Sequence, residues 1–458
     1  MIDHHAERDD YFEYMKRVAL ITSLGLIVSF CINSTSAADR GRDVNWPQWR
    51  GPLANGVAPH GDPPVEWSET RNVQWKVALP GRGASTPIIW EDQVFILTAI
   101  PTGKKVEVKP DAVPPGPNAH MVDPACEAQR FTVMALDRET GKVRWQQTAR
   151  EKVPHEGYHR DHGYASGSPV TDGKHLVAYF GSNGLFCYDL TGRLLWQKDL
   201  GLQRTRYGYG EGTSPALHGH TVVILWDHEG EDFIVALDVR DGKELWRQKR
   251  DEPTGWSTPL IIEHEGRWQV VVNATNKARS YDLTTGELLW ECGGLTVNAI
   301  PSPVAGLGLV FVMSGFRGNA LYAIRPGARG DIAGTPAVVW SKRKHTPYVP
   351  SPLLYGNRLY VPFWNNPVLS ILDAATGNPL VEAQRLEGIQ GVYASPVGAA
   401  DRVYLVGRDG NAVVLKKADK LEVLARNRLD DGFDASPAIA GKQMFLRGRQ
   451  FLYCLSAK

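Results

Sequence analysis

Apolar positions in this chain fall into one long block and many short ones. The block runs from Val18 to Ile32, broken only by Thr22, Ser23, Gly25 and Ser29. Lys16 and Arg17 stand before it, and the small residues of Asn33-Ser34-Thr35-Ser36-Ala37-Ala38 follow. That order of basic, apolar and small segments predicts a secretory signal cleaved after Ala38, with Met15 as the true start. The block is short for a membrane span, and Phe30 before Cys31 is too large for a lipoprotein signal. Elsewhere the apolar runs have strand length and are bounded by turn residues. One phrase recurs: a Ser or Thr, a Pro, then an apolar run. It stands at Thr86-Pro87, Ser168-Pro169, Ser214-Pro215, Thr258-Pro259, Ser302-Pro303, Ser351-Pro352, Ser395-Pro396 and Ser436-Pro437. From Pro169 onward the spacings are 46, 44, 44, 49, 44 and 41 residues, the length of a four-stranded propeller blade.

A second phrase closes most units: Leu136-Asp137…Thr140-Gly141…Trp145, Tyr188-Asp189…Thr191-Gly192…Trp196, Leu237-Asp238…Gly242…Trp246 and Tyr281-Asp282…Thr285-Gly286…Trp290. Trp340 ends a longer version. Leu372-Asp373…Thr376-Gly377 ends on Val381, and the seventh copy is degenerate with Leu424 at the Trp place. Asp and Gly make the hairpin turn between two strands. The Trp then falls on the outer strand, where it packs between blades. The last unit stops one strand short, and Asn72-Val73-Gln74-Trp75-Lys76-Val77-Ala78-Leu79 is an orphan outer strand that carries the missing Trp. The expected fold is all-β: an eight-bladed propeller of four-stranded antiparallel blades, its ring closed by that N-terminal strand. Seven blades is the alternative if the degenerate unit is not one.

Composition sharpens this picture. The 46 Gly and 30 Pro are turns and strand starts, and most of the 14 Trp are inter-blade packing. A net charge of +1 offers no basic surface for nucleic acid. Of five Cys, Cys187 and Cys454 occupy equivalent places on different blades and read as buried thiols. The domain plan is a leader and signal over 1–38, an extension over 39–71 and the propeller over 72–458. An aperiodic, Pro-rich insertion at 101–130 reads as a long ordered or semi-ordered loop, a candidate lid or partner surface. After cleavage the protein is expected to be a monomer, not embedded in a membrane, and periplasmic or secreted.

The Asp-x-x-Thr-Gly-x-x-x-Trp phrase after a Ser/Thr-Pro strand resembles the repeat of the pyrroloquinoline quinone (PQQ) propellers, over residues 72 to 458. These include quinoprotein alcohol dehydrogenases and a non-enzymatic lipoprotein of outer-membrane β-barrel assembly. The resemblance implies either a binding and scaffolding module or a PQQ- and Ca²⁺-dependent dehydrogenase for an alcohol or sugar. Under the second, Trp256 stands where a Trp stacks on the quinone, Arg317 where an Arg bonds its oxygens, and Asn273 where an Asn ligates calcium. Asp227 or Glu229 is offered as the calcium carboxylate. Where the dehydrogenases place a catalytic Asp, this chain has Asn298, and their vicinal Cys pair is absent. Asn cannot take the alcohol proton, so the binding module is the leading reading.

Residues just before each Pro are expected to line the propeller mouth: Arg82, Tyr164, Tyr209, Glu211, Trp256, Asn298, His345, Tyr348, Tyr393, Phe433 and Asp434. A protein or small molecule bound there is the expected partner. His155, His159 and His162 with Glu156 and Asp161 form a dense loop before Ser168-Pro169. Its spacing admits a metal site without matching a known motif. Asp227-His228-Glu229-Gly230-Glu231-Asp232 reads as an acidic hairpin tip. Phosphate-loop, serine-elbow and zinc-helix motifs are absent.

Overall fold

The structure, a computed structural model, describes residues 41–108, 113, 116 and 118–457. The leader and signal expected over 1–38, and Pro110, Pro114, Pro115 and Pro117 of the insertion, lie outside the described residues. Eight four-stranded antiparallel sheets follow one another around a ring. Blade 1 covers 88–152, blade 2 170–198, blade 3 216–249 and blade 4 260–293. Blade 5 covers 304–342, blade 6 353–385 and blade 7 397–428. In each of these the strands run outward in chain order. Blade 4 gains a fifth, parallel strand from Gly330–Asp331. Blade 8 is built from Ala438–Ala440, Gln443–Arg447, Phe451–Ser456 and, as its outer strand, Val73–Ala78. The degenerate seventh unit is a complete blade, so the ring has eight.

Burial follows strand position. Middle strands are sandwiched between neighbouring blades, and all six residues of Leu309–Ser314 are buried. Outer strands are wet on one side: in Glu244–Lys249 only Trp246 is fully buried. The Trp at that place docks on the next blade. Trp75, Trp145, Trp196, Trp246 and Trp340 lie over Gly141, Gly192, Gly242, Gly286 and Gly377, where an added Cβ would come within 2.6–2.8 Å of the indole. Those glycines also have φ between +70° and +89°. The turn thus needs Gly twice over, for its dihedral and for the ring above it. Each indole N–H donates to a backbone carbonyl of the same turn, at 2.7–3.0 Å. In blade 7 the residue in Trp register is Ala425, paired with Val414, and not Leu424, which is 41% exposed.

The Ser/Thr of each Ser/Thr-Pro phrase has a structural task. The Thr86 N–H donates to Ser168 Oγ, Ser168 N–H to Ser214 Oγ, and Ser214 N–H to Thr258 Oγ1. The chain continues through Ser302, Ser351 and Ser395 to Ser436, every link 2.7–3.1 Å. Seven hydroxyls therefore belt the eight inner strands together. At the seam between blades 8 and 1 the buried Arg447 guanidinium bridges to Ser85 O and Leu97 O instead.

The insertion carries more strand than a loop reading implies. Gln93–Lys105 and Glu127–Asp137 extend the blade 1 hairpin through 101–105 and 127–130. Beyond them Val122–Asp123 pairs with Tyr158–His159. Cys187 and Cys454 are buried free thiols, each paired in register with a docking Trp. Among the described residues no helix is long and apolar enough to cross a membrane.

Candidate functional site

The inner strands leave a central channel, and the chain closes one end of it. Trp46 pairs with Ile89 of blade 1, Pro47 O accepts from Thr171 N–H of blade 2, and Ala58 N–H donates to Gly398 O of blade 7. Between these anchors lies Arg50, 3% exposed. Its guanidinium donates to Pro352 O, Pro396 O and Asn55 O at 2.6–3.0 Å and, among the described residues, meets no carboxylate. Burial without a counter-charge pulls it down to about 9. Gly56 makes room for it, since a Cβ there would stand 2.6 Å from the guanidinium.

Above this plug the channel opens into a cavity of about 470 Å³. Trp49 of the plug reaches it. Its wall includes six residues of the hydroxyl belt, Thr86, Ser168, Ser214, Thr258, Ser395 and Ser436. Two sets of loops raise the rim. Those before each first strand supply Tyr209, Trp256, Asn298, Tyr348, Tyr393 and Asp434, all expected at the mouth. Those between second and third strands supply Phe316, Arg317, Trp364 and Asn365. Asn118 and Met121 of the insertion also reach the cavity. Tyr207, Asn298, Arg317 and Trp364 hold left-handed backbone, with φ of +51° to +59°. Such strain persists only where the surroundings enforce it, and it clusters at working sites.

The quinone-site candidates divide. Trp256, Asn298 and Arg317 share the cavity. Trp256 is fixed by its indole N–H to Gly210 O at 2.7 Å. Asn298 is 2% exposed, and its Oδ1 has no donor among the described residues. Asn273 lies buried outside the wall and donates to Pro301 O and Met313 O, leaving its Oδ1 unpartnered. That one oxygen suits a cation; the rest of the proposed ligand set does not. Asp227 gives both oxygens to the Arg250 guanidinium, at 2.6 and 2.9 Å, with both side chains fully buried. The pair extends to the Tyr281 hydroxyl at 2.5 Å. Glu229 accepts from Thr254. A divalent cation at Asp227 would meet a carboxylate already neutralised by a guanidinium, so these residues do not fit calcium.

The His loop does not converge either. His155 Nε2 meets Gln203 O at 2.5 Å, and His159 packs edge-on against Tyr209. His162 is bonded to Glu211 O and Ser166 Oγ, and burial takes it down to about 4, so it is neutral at pH 7. Among the described residues no three His, Cys, Asp or Glu are placed to hold a metal ion. Glu211 points away from the cavity to Ser182, whose N–H and Oγ it binds at 2.6 and 2.5 Å. Burial pushes its carboxyl up to about 8, and that of nearby Glu156 up to about 7. Of the other mouth candidates, Arg82 bonds the Tyr158 hydroxyl and Tyr164 lines the small pocket beside Glu211. His345 faces a lateral groove, and Phe433 packs on Tyr453 in the core.

Sequence reasoning missed Trp49, Phe316, Trp364 and Arg408. Arg408 ties Asp161 to Asp434, at 2.9 and 2.6 Å, and lies 4.0 Å over the Tyr393 ring. For all but Trp49 the missed signal was a second anchor: in blades 5, 6 and 7 the residues just after the second strand face the mouth as well.

A family model for the outer membrane protein assembly factor BamB matches residues 129–293 and 191–328. No curated protein sequence matches significantly. Among solved structures, BamB from Moraxella catarrhalis superposes with a TM-score of 0.51 at 13% identity, covering 79% of this chain and 99% of that one. A quinohemoprotein alcohol dehydrogenase from Comamonas testosteroni gives 0.60 at 10% identity, covering 93% and 84%. A second such dehydrogenase, from Pseudomonas putida HK5, gives 0.54 at 13%, covering 92% and 81%. Identities this low speak to fold alone. Over residues 129–328 the chain matches the BamB family model, and its repeat and eight-bladed ring have the form of the PQQ-like propellers.

Proposed function

We propose that this protein is an exported binding module that holds its ligand in the axial cavity and does no quinone chemistry on it. The observation that carries this reading is the fate of Asp227. The carboxylate proposed for calcium is locked to Arg250, while the cavity beside it stays open, aromatic and plugged at one end. Asn298, at the position of the catalytic Asp, lines that cavity as an amide, which binds but does not abstract protons. Export is supported by the leader pattern and by the kinship with BamB-like propellers.

One observation favours a dehydrogenase instead: Trp256 and Arg317 face the same cavity. A single titration separates the two. Purified protein is titrated with PQQ, with and without Ca²⁺, following Trp fluorescence, and dye reduction is assayed with alcohols and sugars. The binding-module reading expects no calcium-dependent quinone binding and no turnover. Saturable, calcium-dependent binding with dye reduction, abolished by Arg317→Ala, would overturn it.

A further inference from the structure

We propose that the cavity is built for an acidic saccharide, whose acid group is taken by Arg317 and whose ring hydroxyl donates to Asn298 Oδ1. This inference rests on the binding-module reading above. It starts from the charge of the wall. Two carboxylates line the cavity, Asp161 and Asp434. Arg408 bonds both, and Arg449 adds a second pair to Asp434 at 3.0 Å. The wall's anions are therefore neutralised from behind. His159 and His162 are both shifted down by burial and add no charge at pH 7. Arg317 is different. Its guanidinium has no hydrogen bond or ion pair among the described residues; it lies 5.4 Å from the neighbouring Phe316 ring and its charge reaches the Tyr209 hydroxyl. Among the described residues the cavity thus presents one uncommitted cation, and a guanidinium is suited to two-pronged recognition of a carboxylate or sulfate.

The second observation is an acceptor. Asn298 is almost fully buried, lines the cavity, and leaves Oδ1 without a donor. Its side chain is bonded to the Tyr348 hydroxyl, which fixes the amide. Buried acceptors are normally paired, so a ligand O–H or N–H is the expected partner. The third is the wall itself. Trp256 and Trp364 stand there with the stacked pair Phe316 and Tyr348, whose centroids are 4.8 Å apart. A flat aromatic acid without a hydroxyl or ring N–H would satisfy the rings and Arg317 but bring no donor for Asn298. A sugar acid satisfies all three, with C–H faces for the rings, hydroxyls for Asn298 and an anion for Arg317. The volume, about 470 Å³, lies in the range of small-ligand sites and suits a short oligosaccharide.

The test is calorimetric titration with a uronic-acid trisaccharide, its methyl ester and a sulfated disaccharide. Acidic ligands should bind saturably and lose affinity as salt rises. The methyl ester and the Arg317→Ala variant should each weaken binding at least tenfold, while Arg317→Lys keeps part of it. Asn298→Asp should weaken it by setting a second anion beside the first. The two acidic ligands separate carboxylate from sulfate recognition, and binding of either supports the proposal. Equal affinity for the methyl ester, or an unaffected Arg317→Ala, overturns it, as does failure of both acidic ligands to bind. The apolar dye ANS distinguishes that failure from failure of the underlying reading. If the dye enters the wild-type cavity and is excluded by Val349→Trp, which fills it, the binding cavity stands without the saccharide. If it does not, both fall.

Discussion

The hydroxyl belt makes its residues unequal in a measurable way. Ser302→Ala leaves the buried Thr258 N–H without its 2.7 Å acceptor, which should cost about 1–3 kcal/mol; Ser302→Thr restores the acceptor. Thr86 begins the belt, and its own hydroxyl has no partner among the described residues. Thr86→Val should therefore leave the melting temperature nearly unchanged, and scanning calorimetry of the three variants checks the order. A second residue-scale prediction concerns Glu211. Burial raises its folded pKa to about 8, above the ordinary glutamate value of 4.5. Between those values the folded state keeps a proton that the unfolded chain has released, so stability falls as pH rises through this window and levels off above it. Glu211→Gln mimics the protonated form. It should flatten the melting-temperature profile between about pH 5 and 8 and melt higher than wild type at pH 9. A wild-type profile that climbs across this window would contradict the assignment. None of this was readable from the chain alone. Ser and Thr before Pro are visible as small residues, but the partner of each hydroxyl lies a whole blade away. Glu211 sits inside the Gly-rich stretch Gly208-Tyr209-Gly210-Glu211-Gly212, which gives no hint which way its carboxyl turns.

At the scale of the element, the outer strand is where sequence and structure agree most closely. Its Trp recurs because two local needs coincide: a turn glycine with positive φ, and an indole that covers it while donating to the turn's carbonyl. Both lie within one hairpin and its neighbour, so the spacing survives in the sequence. The exception proves informative. Trp290 is completely buried, yet its indole N–H has no acceptor, because blade 5 turns through Arg325-Pro326-Gly327 rather than the Asp-Gly phrase. Trp196→Phe breaks a 2.7 Å bond to Val239 O and should cost about 1 kcal/mol more than Trp290→Phe, which removes a polar group that was already unpaired. Thermal unfolding of the two variants side by side reads the difference. The candidate site was legible only where it follows the Ser/Thr-Pro anchor, as with Tyr209, Trp256, Asn298 and Tyr348. Arg317 came from resemblance. The other contributors, Trp364 from a second-to-third strand loop and Trp49 from the N-terminal segment, have no repeat of their own to announce them. The insertion was misjudged for a related reason. Its strands lengthen an existing hairpin, and strand extension leaves no mark beyond alternation, which prolines obscure.

The whole molecule is a ring, and a ring has one seam. Here the seam lies between Phe451–Ser456 and Val73–Ala78, strands more than 370 residues apart in the chain that pair with Trp75 opposite Cys454. Around this seam other contacts cluster. Trp75 docks on Gly141 of blade 1, Arg138 reaches across to Ala440 O and Gln443, and Arg447 bridges to Ser85 and Leu97 where the hydroxyl belt ends. An open ring would expose two unpaired strand edges and let blades 8 and 1 separate, the state that closure exists to avoid. Removing residues 72–79 should therefore lower the melting temperature far more than any single belt or Trp substitution, and promote aggregation through the bared Phe451–Ser456 edge. The same geometry supplies a stricter test than loss of stability. An edge strand can be replaced from outside, since backbone pairing and a side-chain pocket are both waiting for it. A synthetic peptide spanning 70–80 should bind the deleted protein saturably and recover much of the lost melting temperature. The same peptide with Trp75→Ala should do so poorly, because it pairs with the edge but leaves Gly141 uncovered. Unchanged unfolding after deletion, or equal rescue by both peptides, would mean that the seam is held by something other than this strand and its Trp.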